Sequence, residues 1–411
     1  MRSVKIRIPG SFWDSQLYSN EIILFTDSGT IVRADWRAAI DSVAEQYKNV
    51  RTALRVAFMD GDLFYNDKVR KILLDPALAK PIRQQLDQLA DGVWEVDLIR
   101  DSGVSKNDSP FDFVPTDTDI YYNTIIASGD EGLFTCSRMH LGKKKPKSYA
   151  AKHHDARFLQ VRASDRNTAI AAAAGTDGLM EFGFEKRREE AELGQEKHLA
   201  KRPCSACEWA FQSVIGWSDE AAFIASFKEE RRAGGSEKIR IPDRVIDFSE
   251  FFGADSGLDK SFAWGAREKF YKIDGDEVTV VERRDESRGR KDLHESSGEF
   301  KVIDKTRKSG FDGADVIATG TAPFGSVVEY SDRLVVIRSD GDLDIFSGEL
   351  IHWRIFPRSS HFSNQLHLIY DHHMEIVSFV HDYFVDQSDK RFGFAKQTDG
   401  GKSEELFAEF M

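Results

Sequence analysis

"SQLYSNEIILFTDSGTIVRAD", residues 15–35, and "GSVVEYSDRLVVIRSDGDLDIF", residues 325–346, decide how this chain is read. Set side by side they are two copies of one unit: an apolar strand, a tight polar turn, a second apolar strand, and a Gly/Asp turn into a third. Asn and Asp recur at the reversals because they hydrogen-bond locally, and Gly because it tolerates positive φ. Five further stretches repeat the pattern: "DIYYNTIIASGDEGLFTCSR" from Asp119, "RFLQVRASDRNTAIAAAAGTDGLMEFGF" from Arg157, "EWAFQSVIGWSDEAAFIASF" from Glu208, "SFAWGAREKFYKIDGDEVTVVER" from Ser261 and "NQLHLIYDHHMEIVSFV" from Asn364. Such units bury their faces only by stacking on one another.

The first strand of each copy is read as the innermost, starting near residues 16, 119, 157, 208, 262, 326 and 365. "ELIHWRIF" from Glu349 then follows the sixth copy as its fourth strand. "VKIRIPG" from Val4 is nearly repeated by "EKIRIPD" from Glu237, where an outer strand of the fourth copy is expected. The N-terminal segment is therefore expected to supply the outer strand of the last copy, removing two free sheet edges.

These seven copies make the chain resemble the seven-bladed β-propeller superfold over most of its length. The resemblance implies one all-β domain over residues 1–411 and a funnel lined by the innermost strands. It stays at the level of the fold: the Gly-His and Trp-Asp signatures of WD repeats and the double glycines of kelch repeats are missing, so no family's functional residues carry over.

Residues 36–92 depart from the strand pattern and are expected to be a helical insertion in the first blade. Ala39, Ile40, Val43, Ala44 and Tyr47 fall at helical spacing behind Asp35, a candidate N-cap. Asp75-Pro76 opens a second helix with Ile82, Leu86 and Leu89 on one face, ended by Gly92. "VWEVDLI" from Val93 is expected to return as the outer strand of blade one. Residues 143–147, 185–202 and 285–298 have few apolar side chains and are expected to be charged, flexible loops.

With 41% hydrophobic and 31% charged residues the composition is globular, and no apolar run approaches the length of a membrane span. "MRSVKIRIPG" does not read as a secretory leader. Three cysteines in 411 residues fit a reducing compartment, and the cytoplasm is expected. A net charge of −12 disfavours nucleic acid, with the basic runs 143–147 and 283–290 as the places that would override it.

No motif names a chemistry: there is no GxSxG, Walker loop, HExxH or GxGxxG on a strand-to-helix turn. No catalytic residue, metal ligand or cofactor is assigned. Cys204 and Cys207 form one CxxC, read as ordinary thiols in the absence of a second pair. Six histidines fall between His352 and His381, but strand alternation divides them between faces. Polar residues at the inner-strand starts are the candidate ligand- or partner-binding set: Trp13, Asp14, Gln16, Asp119, Arg157, His361, Gln365 and His367. Trp36, Trp94, Trp264 and Trp353 are either blade packing or partner contacts. The leading expectation is a non-enzymatic scaffold or recognition subunit, binding protein partners through the insertion or a propeller face. The alternative is a channel-mouth ligand binder or hydrolase/lyase-type enzyme, with Asp119, Arg157, His361 and His367 as acid, base and anion-binding groups.

Overall fold

The computed structural model describes residues 3–59, 72–73, 75–138, 150–187, 190–210, 213–231, 238–253, 261–283, 300–307, 311, 313–338, 341–359 and 361–379. Their strands form seven four-stranded up-and-down sheets, the blades of a β-propeller. β1 (Val4–Pro9) comes first in sequence but belongs to the last blade. Blade one is β2 (Phe12–Tyr18), β3 (Glu21–Thr26), β4 (Thr30–Asp35) and β5 (Val104–Asp108). Blade two is β6 (Asp117–Tyr121), β7 (Thr124–Gly129), β8 (Gly132–Ser137) and β9 (Ala151–His154). Blade three is β10 (Gln160–Ser164), β11 (Ala169–Ala173), β12 (Leu179–Arg187) and β13 (Glu190–Ala200). Blade four is β14 (Ala206–Ala210), β15 (Ser213–Trp217), β16 (Ala222–Arg231) and β17 (Lys238–Asp247). Blade five is β18 (Ser261–Ala266), β19 (Lys269–Asp274), β20 (Glu277–Arg283) and β21 (Phe300–Arg307). Blade six is β22 (Ala318–Ala322), β23 (Gly325–Glu329), β24 (Arg333–Arg338) and β25 (Leu343–Ser347). β26 (His352–Ile355), β27 (Gln365–Ile369), β28 (His373–Ser378) and then β1 complete blade seven.

β11 shows why these sheets stack. Its sequence, "AIAAA", is apolar at every position because both faces are covered. Ile170 and Ala172 pack with Ile126 and Leu133 of blade two, while Ala169, Ala171 and Ala173 pack with Val214 and Phe223 of blade four. Adjacent strand residues point to opposite faces, so one strand serves two interfaces.

The insertion between β4 and β5 runs past residue 92 to residue 103 and holds α1 (Trp36–Gln46), α2 (Arg51–Phe58), α3 (Pro76–Asp91) and the single turn α4 (Leu98–Asp101). Asp35 and Asp75 cap as expected, their carboxylates accepting from Ala38 N and Ala77 N at 2.9 Å each. The third helix face, Ala79, Ile82, Leu86 and Leu89, is buried. A last short helix, α5 (Phe248–Phe252), follows β17.

Four expectations are corrected. Val93–Ile99 is not the outer strand of blade one; that place is taken by Val104–Asp108, and residues 94–96 instead lie parallel to β1. Glu185–Arg202 is not a loop: it holds the end of β12 and all of β13, because cross-strand pairing with Leu179–Arg187 supplies the backbone bonds that its polar side chains do not predict. In blade six the strand from Gly325 is second, not innermost, and β22 precedes it. In blade seven the "ELIHWRIF" segment supplies the first strand, so the strand at Gln365 is second. A one-strand slip preserves the apolar-turn-apolar pattern in an up-and-down sheet, so only the pairing fixes the frame. The N-terminal expectation holds: β1 pairs antiparallel with β28 from Val4↔Ser378 to Pro9↔His373. Residues 143–147 and 285–298, with His381, lie outside the described residues.

By internal contacts the chain divides into two compact units, Met1–Ser11, Ala34–Gly103 and Thr321–Met411 in one, Phe12–Arg33 and Val104–Gly320 in the other. Blade seven and the insertion fall in the first, blades two to five in the second.

Candidate functional site

The inner-strand polar residues of blades one to four tie each inner strand to the next. The first strand of a blade has a partner on one edge only, and its other backbone groups need acceptors elsewhere. Thr118 Oγ1 donates to Asp14 Oδ2, and Gln16 Nε2 donates to the Thr118 carbonyl at 2.9 Å. Asp117 Oδ2 accepts from Val161 N at 3.0 Å and Arg162 Nη1 at 2.7 Å, and Asp119 Oδ2 accepts from Ala163 N at 2.8 Å. Gln160 Oε1 then accepts from Cys207 N, and the Arg162 carbonyl from Trp209 Nε1, both at 2.8 Å. Asp14 and Gln16 are buried accordingly.

The remaining candidates are dispersed. Trp13 packs against Phe25 at 5.1 Å between ring centroids. Arg157 pairs with Asp130 on the surface at 2.7 Å. His361 sits half-buried between β26 and β27. Gln365 and His367 are fully buried in β27, and burial with the nearby Arg354 charge depresses His367 to about 3. Asp119 and Arg157 lie in one compact unit, His361 and His367 in the other. Among the described residues no group of three His, Cys, Asp or Glu side chains is placed to hold a metal ion. The tryptophans are engaged internally: Trp36 Nε1 donates to the Phe58 carbonyl, Trp94 Nε1 to the Leu89 carbonyl, Trp353 Nε1 to Glu329, and Trp264 stacks on Tyr271.

Cys204 and Cys207 are buried beside Trp209 and Phe223. Burial pushes the Cys204 thiol up to about 12 and Cys207 well above its ordinary value. Both are therefore protonated and unreactive. Native protein treated with a thiol-specific chromogenic reagent at pH 8 will leave these two unmodified until denaturant is added; prompt native labelling of either refutes their burial.

What the sequence did not single out is a pair of ribbons. β12–β13 and β16–β17 run to nine, eleven, ten and ten residues, where β10, β11, β14 and β15 have five each. The second strand of blade three ends its pairing at Ala169↔Gly183 and that of blade four at Ser213↔Ser226. At these levels the ladders with the fourth strands shift register, between Phe182 and Phe184 and between Ala225 and Phe227. Beyond the bulge only the third and fourth strands continue as a pair.

A two-stranded ribbon is marginal alone, so its base must be held. Each ribbon is pinned to the preceding blade. His154 of β9 meets Glu196 of β13 at 2.7 Å through Nε2, while its Nδ1 accepts from Ala156 N at 3.0 Å. Arg240 of β17 meets the buried Glu181 of β12 at 2.8 Å, with its guanidinium 4.1 Å from the Phe227 ring centroid and 5.3 Å from that of Trp209. Burial raises Glu181 and lowers Arg240, each opposed by the other's charge. Along the ribbons the exposed residues are charged and mixed in sign: Glu185, Glu192, Lys228, Glu230, Asp243 and Arg244. Lys228 reaches Glu230 at 3.0 Å, an exposed pair of small energetic worth. The signal that would have found the ribbons is the alternation of Phe182 and Phe184 with charged residues in "EFGFEKR", read earlier as the approach to a loop.

No protein-family model matches the chain, and no curated protein matches its sequence. Its strand arrangement is similar to the Cps50 (Swd1) β-propeller domain of Myceliophteria thermophila, at 11% identity and TM-score 0.47, covering 90% of this chain and 96% of that one. It is similar at the same TM-score to the WD40 β-propeller domain of Doa1, at 8% identity over 90% and 93% of the two chains. A functionally unknown protein from Desulfotomaculum acetoxidans follows at 9% identity and TM-score 0.43, covering 82% of this chain and 86% of that one.

Proposed function

We propose that this chain is a protein-recognition scaffold, a non-enzymatic subunit of a cytoplasmic complex, and that the ribbons of blades three and four carry its contacts. The observation behind this reading is the braced pair itself. The third and fourth strands run on past the last pairing of the second strand, and each ribbon meets a polar side chain of the neighbouring blade, His154 on Glu196 and Glu181 on Arg240. Rigid, outward, mixed-charge β-structure suits a folded protein surface, where complementary charges set orientation and association rate. The net charge of −12 weighs against a phosphate backbone as the partner. Asp14, Gln16 and Asp119, bound into the inner-strand ties, have their oxygens and amides engaged within the fold.

Affinity capture from the native host, quantified by mass spectrometry, tests this with Glu185, Glu192 and Lys228 reversed in charge. All three are exposed, so the fold is kept. The expected result is a stoichiometric protein partner whose recovery falls at least about ten-fold in the ribbon variant and is unchanged by reversal of Asp371 in the exposed turn before β28. Equal recovery with both variants refutes the ribbon assignment. A purified protein that carries a stoichiometric metabolite instead of a partner supports the channel-mouth reading, and a strongly salt-dependent nucleic-acid shift supports a third.

A further inference from the structure

We infer that the first-blade insertion is the latch of blade seven, fastened to both strands of the seam that joins β28 to β1. These two strands come from places about 370 positions apart in the chain, as the Lys5–Glu375 contact marks. The two strands are not consecutive in the chain, so the seam relies on its ladder and on side chains. Glu375 bridges it, meeting Lys5 at 3.0 Å and Arg7 at 2.8 Å.

The insertion grips β1 at its outer edge. Arg7 N donates to the Trp94 carbonyl and Val96 N to the Arg7 carbonyl, both at 2.8 Å, so residues 94–96 add in parallel to a strand that is otherwise an open template for another chain. It grips β28 through the end of α2. The last carbonyls of a helix have no intrahelical donor. Here Ser378 Oγ donates to the Ala57 carbonyl at 2.7 Å, Asn364 Nδ2 to the same carbonyl at 3.4 Å, and Gln365 Nε2 to the Phe58 carbonyl at 3.2 Å. Trp36 Nε1 completes the set on Phe58 at 2.7 Å. Ser378, Gln365, Trp36 and Phe58 are 0% exposed.

Each half therefore needs the other. Without blade seven the buried Ala57 carbonyl loses its donors and Phe58 keeps only Trp36; without the insertion the buried Ser378 hydroxyl and Gln365 amide lose these acceptors. A buried polar group left unsatisfied costs more than a formed bond contributes, so the two open and close as one cooperative unit. The insertion is then not a free arm. A ligand or modification that loosens it also releases the seam, and one that tightens it locks blade seven. Removing residues 36–92 unfastens the blade rather than trimming a docking surface.

Hydrogen exchange read by mass spectrometry on the full chain tests this with two variants. Ser378→Ala removes a donor to α2, and Val96→Pro removes the N–H that bonds β1. The expected result in either is exchange faster by about ten-fold in α2, in residues 94–96 and in β1 and β28 together, with β14–β16 at the wild-type rate. Faster exchange confined to the insertion, with β1 and β28 still protected, overturns the latch. So does unchanged exchange in both variants. If Val96→Pro unfolds the chain, visible as lost protection in β14–β16, Ser378→Ala decides.

Discussion

Asp117→Ala lowers the unfolding free energy by about 3–5 kcal/mol, the largest effect expected from any single inner-strand substitution. The carboxylate is 3% exposed and serves two donors on the next blade, Val161 N and the Arg162 guanidinium. Truncation strands both. The N–H loses its acceptor at the edge of β10, and Arg162 keeps only the Val161 carbonyl at 2.8 Å and a distant carboxylate, Glu208 at 3.9 Å. Water cannot easily replace the acceptor of the Val161 N–H, because Val161 and Ala163 are fully buried. Asp117→Asn separates the two roles. Its amide oxygen still accepts from Val161 N while the charge facing Arg162 is lost, so the loss should be roughly half as large. Urea unfolding followed by tryptophan fluorescence measures all three proteins. A change below about 1 kcal/mol for Asp117→Ala would falsify the view that these residues tie blade to blade, and would return them to the pool of available ligand groups.

The second large effect is acid destabilisation through His367. Its folded value of about 3 lies far below the ordinary 6.5, because protonation would place a charge in a fully buried site near Arg354, itself buried. The sign follows from linkage. Above pH 6.5 the ring is neutral in both states and its contribution is complete. As pH falls below 6.5 the unfolded chain takes up a proton that the folded chain refuses, so stability drops until about pH 3. Over that window the loss amounts to as much as about 4 kcal/mol. His367→Leu, close in size and unable to titrate, should start lower at pH 7 but lose less between pH 6.5 and 4. Parallel curves for the two proteins in that interval would show that the histidine titrates freely in the fold. The same burial encloses the imidazole on the side of Phe356. The Phe356 ring lies 4.8 Å from the imidazole between centroids, and the residue belongs to a second strand, not to the innermost one.

The legible part of the chain was local. Tight turns at Ser19-Asn20 and Tyr122-Asn123 take positive φ at both residues, the geometry that a two-residue hairpin requires, and Ser19-Asn20 marked the strands on either side of it. Asp35 and Asp75 marked helix starts because a side-chain acceptor next to free amide groups is a short-range arrangement. The likeness of "VKIRIPG" to "EKIRIPD" correctly placed both segments as outer strands, since an outer strand with one covered face imposes the same alternation wherever it occurs. The inner-strand set was found as a set but not understood. Asp14 and Asp119 stand out as polar residues in apolar strands, and nothing within their own copies shows that the acceptor each provides is used by the following blade.

The sequence by itself determined that the chain is a series of short antiparallel strands interrupted by one helical segment, because turn chemistry, capping and alternation act over a few residues. Only the tertiary structure decided which strand of a copy lies innermost, where the insertion rests and what the polar residues hold. Adjacent strands in an up-and-down sheet carry interchangeable patterns, so blades six and seven could be framed either way until β1 took the fourth place beside β28. Residues 185–202 looked like a solvated loop until pairing with β12 satisfied their backbone. Ser378, Gln365 and Asp117 acquire their roles from partners dozens to hundreds of positions away. Those partners are chosen by the energy of leaving no buried donor or acceptor alone, a condition evaluated over the whole packed chain and never over one stretch of it.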